Sequence, residues 1–267
     1  MDYISWEPYY IEIINDMGYS QAEDEEASLL LNNLFSQARK EGRIENVEDS
    51  LIHLHDVMEG KNGYVFGGGP KLGDELKRVV DMELFKVEPW KEYVPAADFT
   101  LTLEAPEWKR KMVAVSADSA TRSLMESGIV PGVVVTDLDG DVEFQMEAAR
   151  KGAVILVHAH GDNKIALKEW LPKMSGKIIP TAQCKPRGHV HNFGGFTDGD
   201  RAIYMAETFG AKKVTLVGFD YTKVGEKPGQ TEKDRSVKSR KLVWAALLTE
   251  MIKDKFQVLY FNQLAIF

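Results

Sequence analysis

The sequence predicts an α/β fold in which a mostly parallel sheet is covered by helices on both faces and preceded by a small helical N-terminal lobe. Three observations carry this. Seven short β-rich runs, Tyr64–Phe66, Met112–Val115, Val133–Thr136, Val154–His158, Lys177–Thr181, Val214–Val217 and Phe256–Phe261, each close on Gly, Asp or Asn, and an amphipathic stretch usually follows. Strands alternating with helical patterns mean βαβ units. Residues 1–60 have no such runs and read as helical. With 267 residues and 44% hydrophobic content, the chain can fill a large core without disulfide or metal staples. The expectation is a Rossmann-like three-layer sandwich over residues 61–267, with residues 1–60 as an acidic helical lobe.

Within the lobe, Ser20-Gln21-Ala22-Glu23 reads as a capping box, in which serine and glutamate side chains satisfy each other's orphan N–H groups. An apolar-rich stretch from Ala27 to Phe35 follows, and Gly42 supplies a stop. Val47, Leu51, Leu54, Val57 and Met58 recur at three and four residues until Gly60, the spacing of a buried helix face. Three helices are expected.

Charge is unevenly spread. The chain carries a net −8, but residues 1–60 hold 14 acids and 3 bases, which leaves residues 61–267 at +3 and able to accept an anion. A single cysteine, Cys184, excludes an intramolecular disulfide and a cysteine-based metal framework, and points to a reducing, cytoplasmic setting. No apolar run approaches the roughly 20 residues of a membrane span. Met1 is followed by Asp2, Trp6 and Glu7 instead of a basic, then apolar, leader, so no export is expected.

In open parallel sheets ligands bind beyond the carboxyl ends of the strands, so the residues after each run matter most. After the first run, Gly67-Gly68-Gly69-Pro70 leads into a helix; its backbone N–H groups would suit phosphate, and a tight turn explains the glycines equally well. After the second come Asp118 and Ser119, either of which could cap the helix opening at Ala120. The apolar third run delivers Asp137, Asp139 and Asp141, three carboxylates whose repulsion calls for a hard cation such as Mg2+. The fourth delivers His158, His160, Asp162 and Asn163; the two histidines share one face and could ligate metal or bind a phosphate or a ring. Gln183 and then Asn192-Phe193-Gly194-Gly195-Phe196-Thr197-Asp198-Gly199-Asp200-Arg201 follow, with His189 and His191 beside them. There Thr197, Asp198 and Asp200 could bind metal or cap a helix, and Phe193 and Phe196 could pack or stack on a flat heterocycle. After the sixth run, Gly218-Phe219-Asp220 leads to seven bases within 223–241, among them Lys233 and Lys238; the segment reads as a flap over polyphosphate or as an ordinary loop.

Taken in order, the GGGP, ADSA, VVTDLDGD, HAHGDN, NFGGFTDGDRA and GFD motifs resemble the archaeal 6-hydroxymethyl-7,8-dihydropterin pyrophosphokinases of the tetrahydromethanopterin-type pathway, a match spanning residues 64 to 221. That family is more distantly similar to the thiamin pyrophosphokinase catalytic domain. The resemblance implies transfer of pyrophosphate from ATP to the hydroxymethyl oxygen of a reduced pterin, with release of AMP. It implies Mg2+ held by Asp137, Asp139 and Asp198, with Asp141 helping through a bound water, and Asp162 or His160 orienting the pterin hydroxyl. Gly67, Gly68, Gly69, Pro70, Asp118, Ser119, Gly194, Gly195, Thr197, Asp220, Lys233 and Lys238 would surround the nucleotide, and Asn163, Gln183 and Asn192 are candidates for the pterin edge. The partners implied are ATP and a reduced pterin, with no nucleic acid and no membrane; a homodimer is left open.

Two rival readings share these residues. Val133-Val134-Val135-Thr136-Asp137-Leu138-Asp139-Gly140 also resembles motif one of haloacid-dehalogenase-type phosphatases, with Asp137 as nucleophile, but it sits mid-chain and has Asp141 after the glycine. His158-x-His160-x-Asp162 resembles the start of a binuclear metallohydrolase motif, with Asn163 in place of its final histidine. A non-catalytic nucleotide-binding domain is the third alternative.

Overall fold

A computed structural model of the protein describes residues 1–85, 111–225 and 231–264. Three helices come first: α1 (Tyr3–Met17), α2 (Gln21–Lys40) and α3 (Val47–Met58). Asp2 caps α1 by accepting the Ser5 N–H at 2.8 Å, and Gly18 closes it at φ 72°, a conformation that a side chain would strain. Ser20 accepts the Glu23 N–H at the start of α2, as expected of the capping box. The Glu23 carboxylate does not return the bond; it turns outward to Lys164.

The seven β-rich runs become β1 (Asn62–Phe66), β2 (Met112–Ala117), β3 (Val133–Thr136), β4 (Val154–Ala159), β5 (Ile178–Ala182), β6 (Lys213–Val217) and β7 (Val258–Tyr260). Every pairing is parallel, in the order β5-β4-β3-β2-β1-β6-β7. Between and after them come α4 (Leu72–Asp81), α5 (Ala120–Glu126), α6 (Val142–Arg150), α7 (Lys164–Trp170), α8 (Asp198–Thr208) and α9 (Glu232–Lys253). Among the described residues no helix is long and apolar enough to cross a membrane.

Successive strand residues point to opposite faces, which produces three layers. Val65, Val113, Val115 and Leu216 face a large core, while Phe66, Ala114 and Val217 face a smaller one under Leu72, Leu76 and Val79 of α4 and Leu124 of α5. The first three helices belong to the large core: Trp6, Tyr10, Leu31, Phe35 and Leu54 are fully buried in it. Trp6 also reaches across the molecule to donate to the Gln183 carbonyl at 2.9 Å.

Strand order reverses between β1 and β6, where a crevice is expected at the strand ends. Phe219, just past β6, occupies that position, its ring against the Cα atoms of Gly67 and Gly199; a Cβ on either would lie 2.8 Å from the ring. A Cβ on Gly68 would lie 2.5 Å from Ser119 Oγ, and one on Gly69 only 2.2 Å from the Gly218 carbonyl oxygen. Loop packing therefore accounts for all three glycines of the run.

This packing has a measurable consequence. Overpacking usually costs about 1–3 kcal/mol, and Gly69→Ala, which meets backbone that cannot swing aside, is expected at or beyond the upper end in urea melts. Gly73→Ala in α4, where a Cβ meets nothing within 4 Å, should be neutral or stabilising by up to about 1 kcal/mol. Equal stability of the two variants would remove the packing account.

Candidate active site

Strand β3 ends at Thr136 and presents Asp137 and Asp139 on either side of Leu138, whose buried side chain anchors a residue at φ 66°. Left-handed backbone at a non-glycine residue costs on the order of 1–3 kcal/mol, and it turns the chain at the strand end where the acids are displayed. From the end of β2, Asp118 joins them: one carboxylate oxygen from each of Asp118, Asp137 and Asp139 lies within 4.8 Å of the others. Gly140 permits this approach, since a Cβ there would lie 2.4 Å from Asp118 Oδ2. Asp118 Oδ1 accepts from Thr136 Oγ1 at 2.8 Å and from Gln145 Nε2 at 2.9 Å, so the carboxylate is held and is not capping α5.

Crowded like charges shift one another. Burial, then the charges of Asp139 and Asp137, push Asp118 up to about 7. Burial also works against ionisation of Asp137, but the hydrogen bond and charge of His160 Nε2 at 3.2 Å, with Arg201 and Lys241 beyond, outweigh it and hold Asp137 at about 2. Asp198, the first residue of α8, is driven well above the usual carboxylate range by burial and by Asp137, against the opposing pull of Arg201 Nη1 at 3.1 Å. Three hard oxygen donors, one of them raised by its neighbours' charge, suit a divalent cation that takes oxygen ligands.

With Asp118 buried behind them, Asp137, Asp139 and Asp198 open on a cavity of about 430 Å3. Its walls are the strand-end acids Asp137 and Asp139, the turn His160-Gly161-Asp162, Gln183, the loop and helix start Phe196 to Asp198 with Arg201, and Lys241 from α9. The remaining wall was not legible as site: Gly18, Tyr19, Ser20, Glu23 and Asp24, from the turn between α1 and α2 and the first turns of α2. Arg201 and Lys241 stood in recognised stretches without being singled out, and Asp24 sat beside the capping box with nothing in its spacing to mark it.

Several expected site residues have other work. Asp141 lies 3.6 Å from Arg122 and stands outside the acid cluster, because the chain turns into α6 at Val142 and the strand alternation stops. Asp200 is fully buried and caps α8, accepting the Phe196 and Thr197 N–H groups. Asn163 donates to the carbonyls of Asp137 and His158 and accepts the His160 N–H, tying the ends of β3 and β4 together. Asn192 donates to the Gln183 and Cys184 carbonyls and accepts the Gly194 N–H. Gln183 spends its amide on Asp24 and Arg201. Asn163 and Asn192 thus spend their amide N–H groups on backbone carbonyls, while Gln183 makes one donation, to Asp24, and stands at the cavity wall.

His189 packs on Phe35 and His191 stacks on Phe193, both outside the cavity wall. Gly67 to Pro70, Ser119, Gly194, Gly195 and Asp220 are also outside it; Asp220 pairs with Lys71 at 3.1 Å, and the Gly195 Cα presses on the Arg201 backbone. The expected flap over 223–241 is largely helix: Lys233, Arg235, Lys238, Arg240 and Lys241 lie on α9, where the Thr231 cap and Asp234 start a regular helix. Lys233 and Lys238 do not line the cavity, and residues 226–230, with Lys227, lie outside the described residues.

Behind Arg201 is a second cavity of about 10 Å3, room for one water, walled in part by His158 and Arg201. Thr181 Oγ1 donates to the Val157 carbonyl at 3.2 Å, so toward His158 Nδ1 at 3.1 Å it accepts. The proton of His158 therefore sits on Nδ1, and its buried Nε2, like the buried Nε of Arg201, has no partner among the described residues. Burial, then the Arg201 charge, push His158 well below its usual value, so it stays neutral. A high-resolution crystal structure is expected to show one ordered water donating to His158 Nε2 and accepting from Arg201 Nε; imidazole 15N shifts showing the Nε2–H tautomer would contradict this.

Comparisons with known proteins agree on one family. The model described as 6-hydroxymethylpterin diphosphokinase MptE-like matches residues 104–225. Relatives named 6-hydroxymethyl-7,8-dihydropterin pyrophosphokinase are 38% identical in Pyrococcus furiosus (95% of each chain covered) and 35% identical in Methanothermobacter thermautotrophicus (93% of this chain, 94% of the relative). The relative of the same name in Methanocaldococcus jannaschii is 32% identical over 97% of this chain and 98% of its own. Among solved structures, the MAf glycosyltransferase from Magnetospirillum magneticum AMB-1 overlaps 70% of this chain and 29% of its own at 13% identity and a TM-score of 0.37, too slight a likeness to bear on fold or function. With 32% to 38% identity to three such relatives over nearly its full length, the chain belongs to the 6-hydroxymethylpterin diphosphokinase MptE-like family of transferases.

Proposed function

We propose that the protein transfers a pyrophosphoryl group from ATP to the hydroxymethyl oxygen of 6-hydroxymethyl-7,8-dihydropterin, with Mg2+ at the strand-end acids. The observation that carries this, beside the family, is the Asp118, Asp137 and Asp139 cluster, whose Asp137 and Asp139 line a cavity of about 430 Å3. In the reaction the hydroxyl oxygen bonds to the β-phosphorus, and the bond from that phosphorus to the oxygen bridging the α- and β-phosphates breaks. AMP leaves with the bridging oxygen, and the hydroxyl proton passes to a base. Such transfers depend on positioning and charge neutralisation more than on covalent catalysis. Asp137, Asp139 and Asp118 would hold the cation, with Asp198 alongside. When bound, Mg2+ neutralises and orients the triphosphate.

The protein's own groups divide the remaining work. His160 accepts the Asp162 N–H on Nδ1 at 3.3 Å and faces Asp137 with Nε2, so both its nitrogens are engaged and it positions Asp137. Asp162, exposed at the cavity wall, is left to orient the hydroxyl and take its proton. Lys241 Nζ lies 5.8 Å from the Tyr19 ring centre and 5.9 Å from that of Phe196, a cation beside two adjacent rings whose centres are 6.4 Å apart. These rings offer a flat acceptor its stacking surface, and the ammonium offers the transferred group a counter-charge.

Incubation with Mg2+, ATP and the reduced pterin should yield AMP only when pterin is present; ADP or inorganic phosphate as the main product would sink this assignment in favour of a phosphatase. Asp137→Asn and Asp139→Asn should each lower kcat by at least about 100-fold with little change in melting temperature, and retained turnover in either would remove the metal assignment. A third expectation concerns pH. Because Asp118 is raised to about 7 in the metal-free protein, a cation must displace its proton. Mg2+ binding followed by calorimetry at pH 7 should release roughly half a proton, and affinity should rise between pH 6 and 8; binding independent of pH and buffer would contradict this.

A further inference from the structure

Asp24 is a carboxylate from the N-terminal helices, 2% exposed, at the wall of the cavity. Its Oδ1 accepts the Gly161 N–H at 2.8 Å, and its Oδ2 accepts from Gln183 Nε2 at 2.7 Å and Tyr10 Oη at 2.9 Å. Gly161 follows His160, which meets Asp137. The other carbonyl-bearing end of the Gln183 amide accepts from Arg201 Nη2 at 3.3 Å, and Arg201 Nη1 meets Asp198. Two hydrogen-bonded branches thus leave one carboxylate, and each ends on an acid of the strand-end cluster or beside it.

We propose that Asp24 is a positioning residue that sets the reacting centre from the N-terminal helices, through the Gly161 turn that presents His160 to Asp137 and through the Gln183 amide that presents Arg201 to Asp198. The direction of every bond in the network depends on Asp24 accepting from both sides. An amide in its place has one acceptor and one donor end. Either the Gly161 N–H then loses its acceptor, or the Gln183 amide must flip and release Arg201. Buried networks of this kind are best apportioned by paired substitutions. Reversing the polarity of the branch with Asp24→Asn and Gln183→Glu together restores both branches: the new amide donates one N–H to the new carboxylate and the other to Tyr10 Oη, the carboxylate still accepts from Arg201, and Gly161 keeps its acceptor. Net charge is unchanged.

The turnover test rests on the function proposed above. Asp24→Asn is expected to lower kcat by about 100-fold while the KM for ATP moves less than about threefold, as misplacement of catalytic groups by an ångström can do. The double variant should recover kcat to within about tenfold of the parent. Full activity in Asp24→Asn overturns the proposal. So does a double variant that melts like the parent yet stays as slow as the single one, since the restored network would then not be what sets the rate. Should the single variant fail to fold, the double variant alone decides by the same criterion. A second readout needs no substrate: of the His160 imidazole and Arg201 guanidinium 15N shifts, which report the bonds to Asp137 and Asp198, at least one set should move in the single variant and return in the double. If the parent protein makes no AMP with pterin, the proposed function fails while this spectroscopic comparison still stands.

Discussion

Carboxylates that repel one another are held together at the end of a buried parallel sheet, and much of the surrounding structure serves that constraint. The acids come from the ends of β2 and β3, adjacent strands in register, so the sheet itself brings Asp118 beside Asp137 and Asp139. Around them stand the groups that make the crowding tolerable. Thr136 and Gln145 donate to Asp118, His160 donates to Asp137, and Arg201 to Asp198. Gly140 leaves the space into which Asp118 fits. Burial and the neighbouring negative charge together raise Asp118 and Asp198, and Asp198 faces the cavity with Asp137 and Asp139.

The fold was legible because its signal is local. Seven apolar runs bounded by Gly, Asp or Asn all became strands, and the unbroken run Val133–Thr136 is buried along its whole length, as a strand covered on both faces should be. Asp137 and Asp139 were legible for the same reason, both lying on one strand end. Asp118 was named, but its place among the acids depends on Thr136 and Gly140 from the neighbouring strand end, which spacing along the chain does not reveal. The three amides show a further limit. Asn163, Gln183 and Asn192 have the chemistry to read a heterocycle edge, yet whether a donor is free or already spent is a property of the folded neighbourhood. Lys241 illustrates the opposite case: it belongs to a run of bases that looked like loop, and helix α9 carries it to the cavity.

The helix α9 is fixed at that point by the start of the chain. Asp16, near the end of α1, accepts from Arg240 Nη2 and from Trp244 Nε1 at 2.9 Å each, and Lys241 lies between those two residues. The turn that follows Asp16 supplies Tyr19, which together with Phe196 flanks the Lys241 ammonium. Charge and ring surface at the cavity mouth are therefore set by one junction between the first helix and the last.

That junction imposes an order on synthesis. Trp6 and the Gln183 carbonyl are separated by 177 residues, and Asp16 and Arg240 by 224. At about 5–20 residues per second, a ribosome takes roughly ten seconds or more to reach Gln183 after Trp6. During that interval Trp6 lacks its carbonyl acceptor and Asp16 its partners on α9. Contacts this distant also slow folding, because loop closure precedes the reward. The Asp16 contacts of the first helix can form only once Arg240 and Trp244 have been made, which puts this junction among the last contacts that a growing chain can complete.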